Sequence, residues 1–163
     1  MLESRTIQIS INPPVTLQKA KINDLDFIKE VSHSEMDKIV PKIWNWRNWF
    51  DGLEKDLLSS HAKVFFIKLQ NTPIGYLWLN EEENSLWITA IVLKSEYQRH
   101  SIGRNIMEYL IDQSRKEGKN YIELGVQSNN HSALQFYSKL GFEQFDFFQS
   151  VNTALLRLRL QSL

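Results

Sequence analysis

Residues 91–104 (IVLKSEYQRHSIGR) carry the pattern with the clearest chemical meaning in this chain. An apolar run ends there in a short polar turn, and the pattern of a helix begins at once. A strand that runs directly into a helix points several backbone N–H groups at one place, and the helix dipole adds partial positive charge behind them. Such a turn is a binding site for phosphate or pyrophosphate. The residues of this predicted anion site are Gln98, Arg99, His100, Ser101, Ile102, Gly103 and Arg104.

A second informative segment covers residues 129–142 (NNHSALQFYSKLGF). Its apolar side chains recur at three- and four-residue intervals, which predicts one face of a helix that Gly141 ends. Taken alone, the segment could be an ordinary amphipathic helix. Paired with the anion-binding turn some thirty residues earlier, it becomes far more specific. The side chains that share the face are Ala133, Phe136, Tyr137 and Leu140.

Hydrophobic periodicity predicts the elements that must position these two segments. We predict strands at residues 15–21, 63–69, 73–79, 86–93, 121–126, 142–148 and 153–160. We predict helices around residues 25–31 and at residues 46–59, 102–118 and 130–140. The order β-α-α-β-β-β-α-β-α-β-β indicates a single α/β (α+β) domain over residues 1–163, with its core at about 15–160. Residues 1–14 are predicted to be a loose N-terminal arm that ends at a proline pair.

Composition excludes several classes of protein. Lys+Arg and Asp+Glu are equal at 19 each, which argues against a nucleic-acid-binding protein. The absence of cysteine excludes thiolate nucleophiles, disulfides and cysteine zinc sites. No apolar run is long enough to span a bilayer, and the first residues lack the layout of a signal peptide, so we expect a soluble, cytoplasmic protein. No grouping of ligands has metal-site spacing, so we expect no metal, with His61 and His131 at the surface.

Together the two segments resemble the GNAT superfamily of acyl-CoA-dependent N-acetyltransferases. The family signature Q/R-x-x-G-x-G/A is met by QRHSIG at 98–103, with Ser101 in place of the first glycine. The second mark of the family is met by Asn130 and Ala133, followed by FYSKLGF at 136–142. The resemblance covers about residues 15–160. It implies a central mixed, mostly antiparallel, twisted sheet of about seven strands, flanked by about four helices.

The resemblance also implies roles for individual residues. The pyrophosphate of acetyl-CoA, the cosubstrate, would sit on the backbone amides of the turn, and its pantetheine arm would pair with the edge of the preceding strand. Asn130 would hydrogen-bond that arm, and Tyr137 would protonate the departing thiolate. The residues assigned to the cofactor on this basis are Ile91, Val92, Leu93, Gln98, Arg99, His100, Ser101, Ile102, Gly103, Arg104, Asn130, Ala133 and Tyr137.

The acceptor side is less well specified by the sequence. Many family members carry a glutamate base on the central strand, but residues 87–91 (WITAI) contain no carboxylate. The candidates for a general base stay open, and they are Glu81, Glu82, Glu83, Glu35, Asp37 and His33. Trp44, Trp46 and Trp49 could form an aromatic wall for an amine, and Trp78 and Trp87 could form a cross-strand pair. The residues expected to contact the acceptor are His33, Glu35, Trp46 and Trp87.

These observations favour an N-acetyltransferase that moves an acetyl group from acetyl-CoA to a primary amine by direct attack in a ternary complex. The acceptor could be a small amine, an antibiotic or a peptide N-terminus, and neither nucleic acid nor a membrane is expected as a partner. The alternative is an acyl-CoA-binding sensor or interaction module without turnover, which Ser101 and the missing strand carboxylate favour. Exposed strand edges would also allow a homodimer.

Overall fold

The computed structural model describes residues 3–59 and 63–160. His61, expected at the surface, lies outside the described residues, whereas His131 is exposed as expected. The strands are β1 (Thr6–Ile11), β2 (Pro14–Lys19), β3 (Lys63–Leu69), β4 (Thr72–Glu81), β5 (Ser85–Leu93), β6 (Tyr121–Gln127), β7 (Glu143–Phe148) and β8 (Thr153–Arg159). The helices are α1 (Leu25–Met36), α2 (Trp46–Leu58), α3 (Ile102–Lys116) and α4 (His131–Lys139).

All the strands form one mixed sheet with the order β1-β2-β3-β4-β5-β6-β8-β7. Every pair of neighbours is antiparallel except β5 and β6, which α3 connects in parallel. Parallel neighbours need a crossover connection of this length, so the position of α3 in the chain determines the one parallel pair. The predicted fold class, a mixed and mostly antiparallel sheet with four helices, is confirmed within the described ranges.

The N-terminal segment differs from the prediction. Residues 1–14 were expected to be a loose arm, but Thr6–Ile11 forms β1 and pairs with β2 from Thr6↔Gln18 onward. The alternating sequence TIQISI explains the difference, because Ile7 and Ile9 pack against the core from the edge of the sheet. The proline pair does not end an arm; it lies at the turn, and Pro14 begins β2, a strand position that tolerates proline. The sheet therefore has eight strands in the described chain instead of about seven.

The sheet separates two hydrophobic cores. The larger core packs α3 and α4 against one face, with Leu77, Ile106 and Leu110 fully buried. The smaller core packs α1 and α2 against the other face around Ile28 and Leu53. No helix in the ranges 3–59 and 63–160 has the length and apolar character needed to pass through a bilayer.

A β-bulge at Thr89 changes the direction of the side chains along β5. Trp78 pairs with Ala90 and Leu79 pairs with Ile88, which leaves Thr89 without a partner in β4. As a result Ile88 packs in the larger core, whereas Ala90 packs in the smaller one. The predicted Trp78–Trp87 cross-strand pair is wrong, because Trp87 lies opposite Asn80 in this register.

Candidate active site

The turn between β5 and α3 has the backbone shape of an anion site. Arg99 and Ser101 have φ of 62° and 63°, in the left-handed region, and α3 begins at the next residue. Alternation of such residues with ordinary ones turns successive N–H groups to the same side. The first backbone hydrogen bond of the helix joins Asn105 N to Ser101 O at 3.0 Å. The amides of residues 99–104 donate to no group in the described part of the chain, so they can bind a ligand.

Ser101, which replaces the first glycine of the motif, is the N-cap residue of α3 but its side chain makes no capping hydrogen bond. The N-caps of α2 and α4 behave differently. Asn45 Oδ1 accepts from Asn48 N at 3.0 Å, and Asn130 Oδ1 accepts from Ala133 N at 3.3 Å. The serine hydroxyl therefore makes no capping hydrogen bond that would offset the conformational free energy of the left-handed backbone at this position.

A cavity of about 690 Å³, here called the donor cavity, opens beside this turn. It lies between the N-terminal end of α3, the C-terminal end of β5 and α4. Its wall contains the cations Arg99, Arg104 and Lys139 and, among the described residues, no carboxylate. The chain as a whole is neutral, so this local excess of positive charge suits a polyanion. The lining residues are Ile91, Leu93, Gln98, Arg99, Ser101, Gly103, Arg104, Asn130, Ser132, Ala133, Gln135, Phe136, Tyr137, Lys139 and Leu140.

Most of the residues predicted to bind the cofactor line the donor cavity, and three do not. Ile102 is buried in the larger core, and Val92 is buried on the opposite face of the sheet. His100 is exposed at the turn. These residues can contribute backbone atoms to the site, but their side chains have other surroundings.

A second cavity of about 330 Å³, here called the acceptor cavity, lies on the side of the sheet that carries α1 and α2. Trp44, Trp49 and Trp87 contribute its aromatic surface, and β6 and β8 form the opposite wall. The lining residues are Met36, Ile39, Val40, Trp44, Trp49, Trp87, Ile88, Thr89, Ala90, Ile91, Val92, Leu124, Gly125, Val126, Gln127, Asn130, Ala133, Tyr137, Phe148, Val151, Thr153 and Leu155.

The two cavities meet where β5 and β6 separate. Pairing between these strands ends at Ile88↔Leu124, so the remainder of β5 has no strand partner on that side. The residues common to both linings are Ile91, Asn130, Ala133 and Tyr137. A ligand that runs along the free edge of β5 from the donor cavity reaches the acceptor cavity at this point.

Tyr137 is buried at this junction, with its ring edge-on to Phe136 at 5.0 Å and to Phe142 at 5.4 Å. Burial raises the pKa of the Tyr137 hydroxyl well above its ordinary value of 10. The hydroxyl therefore keeps its proton at neutral pH and can act as a proton donor. The end of α4 fixes the residue, since Phe142 N donates to Tyr137 O at 3.0 Å across Gly141, whose φ of 98° closes the helix.

Of the four residues expected to contact the acceptor, only Trp87 lines the acceptor cavity. His33 Nδ1 contacts the Asp37 carboxylate at 3.1 Å, and its ring packs on Trp46 at 4.6 Å. Trp46 itself stacks on Phe50 at 5.2 Å, outside both linings. The spacing along α2 does not predict this outcome, because Trp46 lies three residues before Trp49 and seven before the buried Leu53, on the same side of the helix.

Glu35 has a role in the fold of the turn. Its carboxylate accepts from Ser95 N at 3.0 Å and from Ser95 Oγ at 2.7 Å, and Gln98 Nε2 lies 3.4 Å away. Gln98 Nε2 also donates to Leu93 O at 2.8 Å. Glu35 thus joins α1 to the segment that leads into the anion-binding turn, and it lines neither cavity.

The acidic triplet Glu81, Glu82 and Glu83 is exposed at the end of β4 and in the turn that leads to β5. Ser85 and Ile91 are six positions apart, which is about 20 Å along a strand, so the triplet lies far from Tyr137. Lys119 Nζ binds the backbone carbonyls of Glu82 and Glu83. Within the described ranges no His, Asp or Glu lines the acceptor cavity, and no group of three such residues could hold a metal ion. Gln127, which does line it, carries no signal in the sequence.

Comparison with known proteins agrees with this geometry. The model of the acetyltransferase (GNAT) family matches residues 22–142. An uncharacterised N-acetyltransferase of Methanocaldococcus jannaschii is 26% identical over 140 residues, or 79% of this chain, which spans 61% of that protein's length. Another, of Lactobacillus delbrueckii subsp. lactis, is 29% identical over 127 residues, 73% of this chain and 71% of that protein. The PaiA N-acetyltransferase of Thermoplasma acidophilum, solved with coenzyme A, superposes with a TM-score of 0.72 at 21% identity, covering 89% of this chain and 98% of that one.

Proposed function

Because this chain belongs to the GNAT family of acetyltransferases, we propose that it transfers an acetyl group from acetyl-CoA to a primary amine by direct attack in a ternary complex. The acceptor is a small molecule or the N-terminus of a peptide. The observation that carries the proposal is the junction of two cavities at Tyr137, one suited to a polyanion and the other to an organic acceptor.

In this proposal the pyrophosphate binds the unpaired amides of residues 99–104, with Arg99, Arg104 and Lys139 around it. Hydrogen bonds to a charged group contribute about 1.5–3 kcal/mol each, so three or four approach the roughly 8 kcal/mol of a micromolar ligand. The pantetheine arm lies along the free edge of β5. Asn130 Oδ1 already caps α4, which leaves its NH₂ group to donate to the arm.

The acceptor nitrogen attacks the thioester carbonyl at the junction, so a C–N bond forms and the C–S bond breaks. Backbone amides of β5 polarise the carbonyl oxygen. Tyr137 gives its proton to the departing thiolate, and the acceptor nitrogen loses a proton to solvent. Since no described carboxylate or imidazole lines the acceptor cavity, the amine arrives in its neutral form. Deprotonating a lysine-like amine at pH 7 costs about 4–5 kcal/mol.

A second function deserves a test because the acceptor cavity lacks a base among the described residues and Ser101 replaces a motif glycine. The chain could bind an acyl-CoA without turnover, as a sensor or interaction module. Thiol release from acetyl-CoA, measured against a panel of amines, separates the two functions. Binding of acetyl-CoA with no thiol release for any amine would favour the module.

The experiment on the mechanism is the substitution Tyr137→Phe. A general acid contributes about 10²–10⁴-fold, so kcat should fall by at least about 10²-fold, while calorimetry should give an unchanged Kd for acetyl-CoA. Tyr109→Phe is the matched control, because Tyr109 is partly buried on α3 and lines neither cavity. A Tyr137→Phe enzyme with wild-type kcat would remove the hydroxyl from the mechanism.

A further inference from the structure

The wall of the acceptor cavity has no charged side chain. Among the described residues that line it there is no Asp, Glu, Lys, Arg or His, and the phenol of Tyr137 stays protonated. A second ammonium on the acceptor would lose its hydration here without gaining a counter-ion. Burying a charge without a partner is strongly unfavourable. The cavity therefore discriminates against acceptors that carry a positive charge beside the reacting amine.

The aromatic part of the wall is held in a fixed arrangement. Trp44 packs on Trp49 at 5.3 Å, and Trp49 packs edge-on to Trp78 at 5.0 Å. Trp78 is anchored in turn, because its Nε1 donates to Asp56 Oδ2 at 2.7 Å. Trp87 contributes a further ring from β5. A preorganised apolar surface of this kind binds a flat or aliphatic group without paying to order its own side chains.

The polar groups of the wall are neutral. Gln127 Nε2 donates to Thr153 Oγ1 at 2.8 Å, and Thr153 Oγ1 donates to Val151 O at 2.9 Å. These two bonds fix the orientation of the Gln127 amide, whose buried Oε1 has no partner in the described chain. The buried Nε1 atoms of Trp44 and Trp49 also have none there. One neutral acceptor and two neutral donors match an amine or amide better than a second charge.

We propose that the acceptor carries its reacting amine on an uncharged apolar or aromatic body, and that polyamines and aminoglycoside-like polycations are excluded. The inference rests on the proposed function and names the substrate class of the same site. A cavity of about 330 Å³ is at the small end of ligand-binding sites. It accommodates a free arylalkylamine or alkylamine, or the first residue of a peptide with an apolar N-terminus, and the two sources share this chemistry.

The test compares amines that differ by one charge. Hexylamine and 1,6-diaminohexane have the same chain, and 2-phenylethylamine adds an aromatic ring. With acetyl-CoA saturating, kcat/KM should be at least tenfold higher for hexylamine and 2-phenylethylamine than for the diamine or spermidine. Two tetrapeptides, one beginning Ala-Phe and the other Ala-Lys, apply the same criterion to a peptide acceptor: kcat/KM should be at least tenfold higher for the Ala-Phe peptide. Equal or better turnover of the diamine or the Ala-Lys peptide would overturn the proposal.

Binding gives a readout that does not depend on turnover. Quenching of tryptophan fluorescence in the CoA-loaded protein should show at least tenfold tighter binding of hexylamine than of the diamine. The same preference without any thiol release would support the cavity's selectivity and overturn the proposed acetyl transfer. Absence of binding for every uncharged-body amine would overturn the selectivity itself.

Variants of the cavity wall should weaken or reverse the preference for acceptors with an uncharged body. Trp44→Ala should lower kcat/KM for 2-phenylethylamine at least tenfold without changing the KM of acetyl-CoA, whereas Phe145→Ala, at an exposed aromatic residue outside both cavities, should leave both values unchanged. Ile39→Glu places a carboxylate in the wall at a partly buried position and should shift the preference toward the diamine at least tenfold. If Trp44→Ala does not fold, Trp87→Leu replaces it. An unchanged preference in Ile39→Glu would contradict the charge argument.

Discussion

The substitution Ser101→Gly tests the strained turn that supports the whole site. Ser101 has φ of 63° and ψ of 5°, a left-handed conformation that costs a residue with a Cβ about 1–2 kcal/mol. Glycine adopts it freely, but it also increases the entropy of the unfolded chain by about 0.5–1 kcal/mol. The net expectation is a gain of about 0.5–1 kcal/mol in the free energy of unfolding. For a chain of this size that raises Tm by about 1–4 °C.

Calorimetric or circular-dichroism melting and urea titration measure this gain, and Ser101→Ala is the matched control. Alanine keeps the Cβ and removes only the hydroxyl, which makes no capping bond in this structure. The alanine variant should therefore melt within about 1 °C of the wild type, unlike a typical N-cap substitution, which costs about 1 kcal/mol. Calorimetry with CoA should show unchanged or tighter binding for Ser101→Gly, since the amides keep their directions.

Two results would refute this reasoning. A glycine variant that melts at or below the wild-type temperature would mean that the left-handed backbone is not strained, or that the serine hydroxyl stabilises the turn. An alanine variant that loses about 1 kcal/mol would identify the hydroxyl as the stabilising group. Weaker CoA binding by both Ser101→Gly and Ser101→Ala would show that the hydroxyl itself contacts the phosphate.

Three further perturbations have defined outcomes. Gly103→Asp puts an anion at the N-terminus of α3, where it interacts favourably with the helix dipole but repels phosphate. Calorimetry should therefore show CoA binding at least tenfold weaker, with Tm equal to or above the wild-type value. A Cβ at Gly75 would lie 2.0 Å from Val92 O, so Gly75→Ala should lower the free energy of unfolding by about 1–3 kcal/mol or more, whereas a Cβ at Gly52 meets ordinary contacts and Gly52→Ala should not destabilise. Burial raises the pKa of Tyr76 to about 12, so the folded state holds this proton more tightly than the unfolded chain. The contribution of this proton to the free energy of unfolding is complete below pH 10 and is lost as pH rises to 12. Urea titrations between these pH values should therefore show the free energy of unfolding fall by about 2–3 kcal/mol, and Tyr76→Phe should abolish the fall.

The donor half of the site could be predicted from the sequence because its determinants are local. Residues 98–104 connect a strand to a helix directly, and a turn of this kind directs its own amides whatever surrounds it. Tyr137 and Asn130 share one helix whose face the spacing of apolar residues reveals. Both predictions depend on neighbours in sequence, and both segments line the donor cavity.

The acceptor half could not be predicted, because distant segments build it. Its wall combines the connection between α1 and α2 with β6 and β8, and nothing in a single sequence relates Trp44 to Gln127. Glu35 and His33 are near the correct helix end but turn toward Ser95 and Asp37. The direction of a side chain at the end of a helix depends on tertiary contacts, which periodicity does not report.

The pairing of the sheet also depends on tertiary contacts that the sequence pattern does not report. The alternation in TIQISI is as strong as in other strands, but a proline pair beside it suggested an arm. A bulge leaves no composition signature either, and Thr89 is an ordinary strand residue. Apart from β1, element types were therefore accessible from the sequence, whereas the register that determines the direction of their side chains was not.

Thr89 gives β5 one residue more than β4 over the segments that pair, residues 86–93 and 75–81. Deleting Thr89 would keep Ile88 opposite Leu79 and Ala90 opposite Trp78, so regular pairing would return and the other side chains of β5 would keep their side of the sheet. A single deletion at this point therefore changes only the backbone beside the acceptor cavity. A deletion in β6, which pairs with β8 without a bulge, would instead turn every later side chain of that strand to the opposite side.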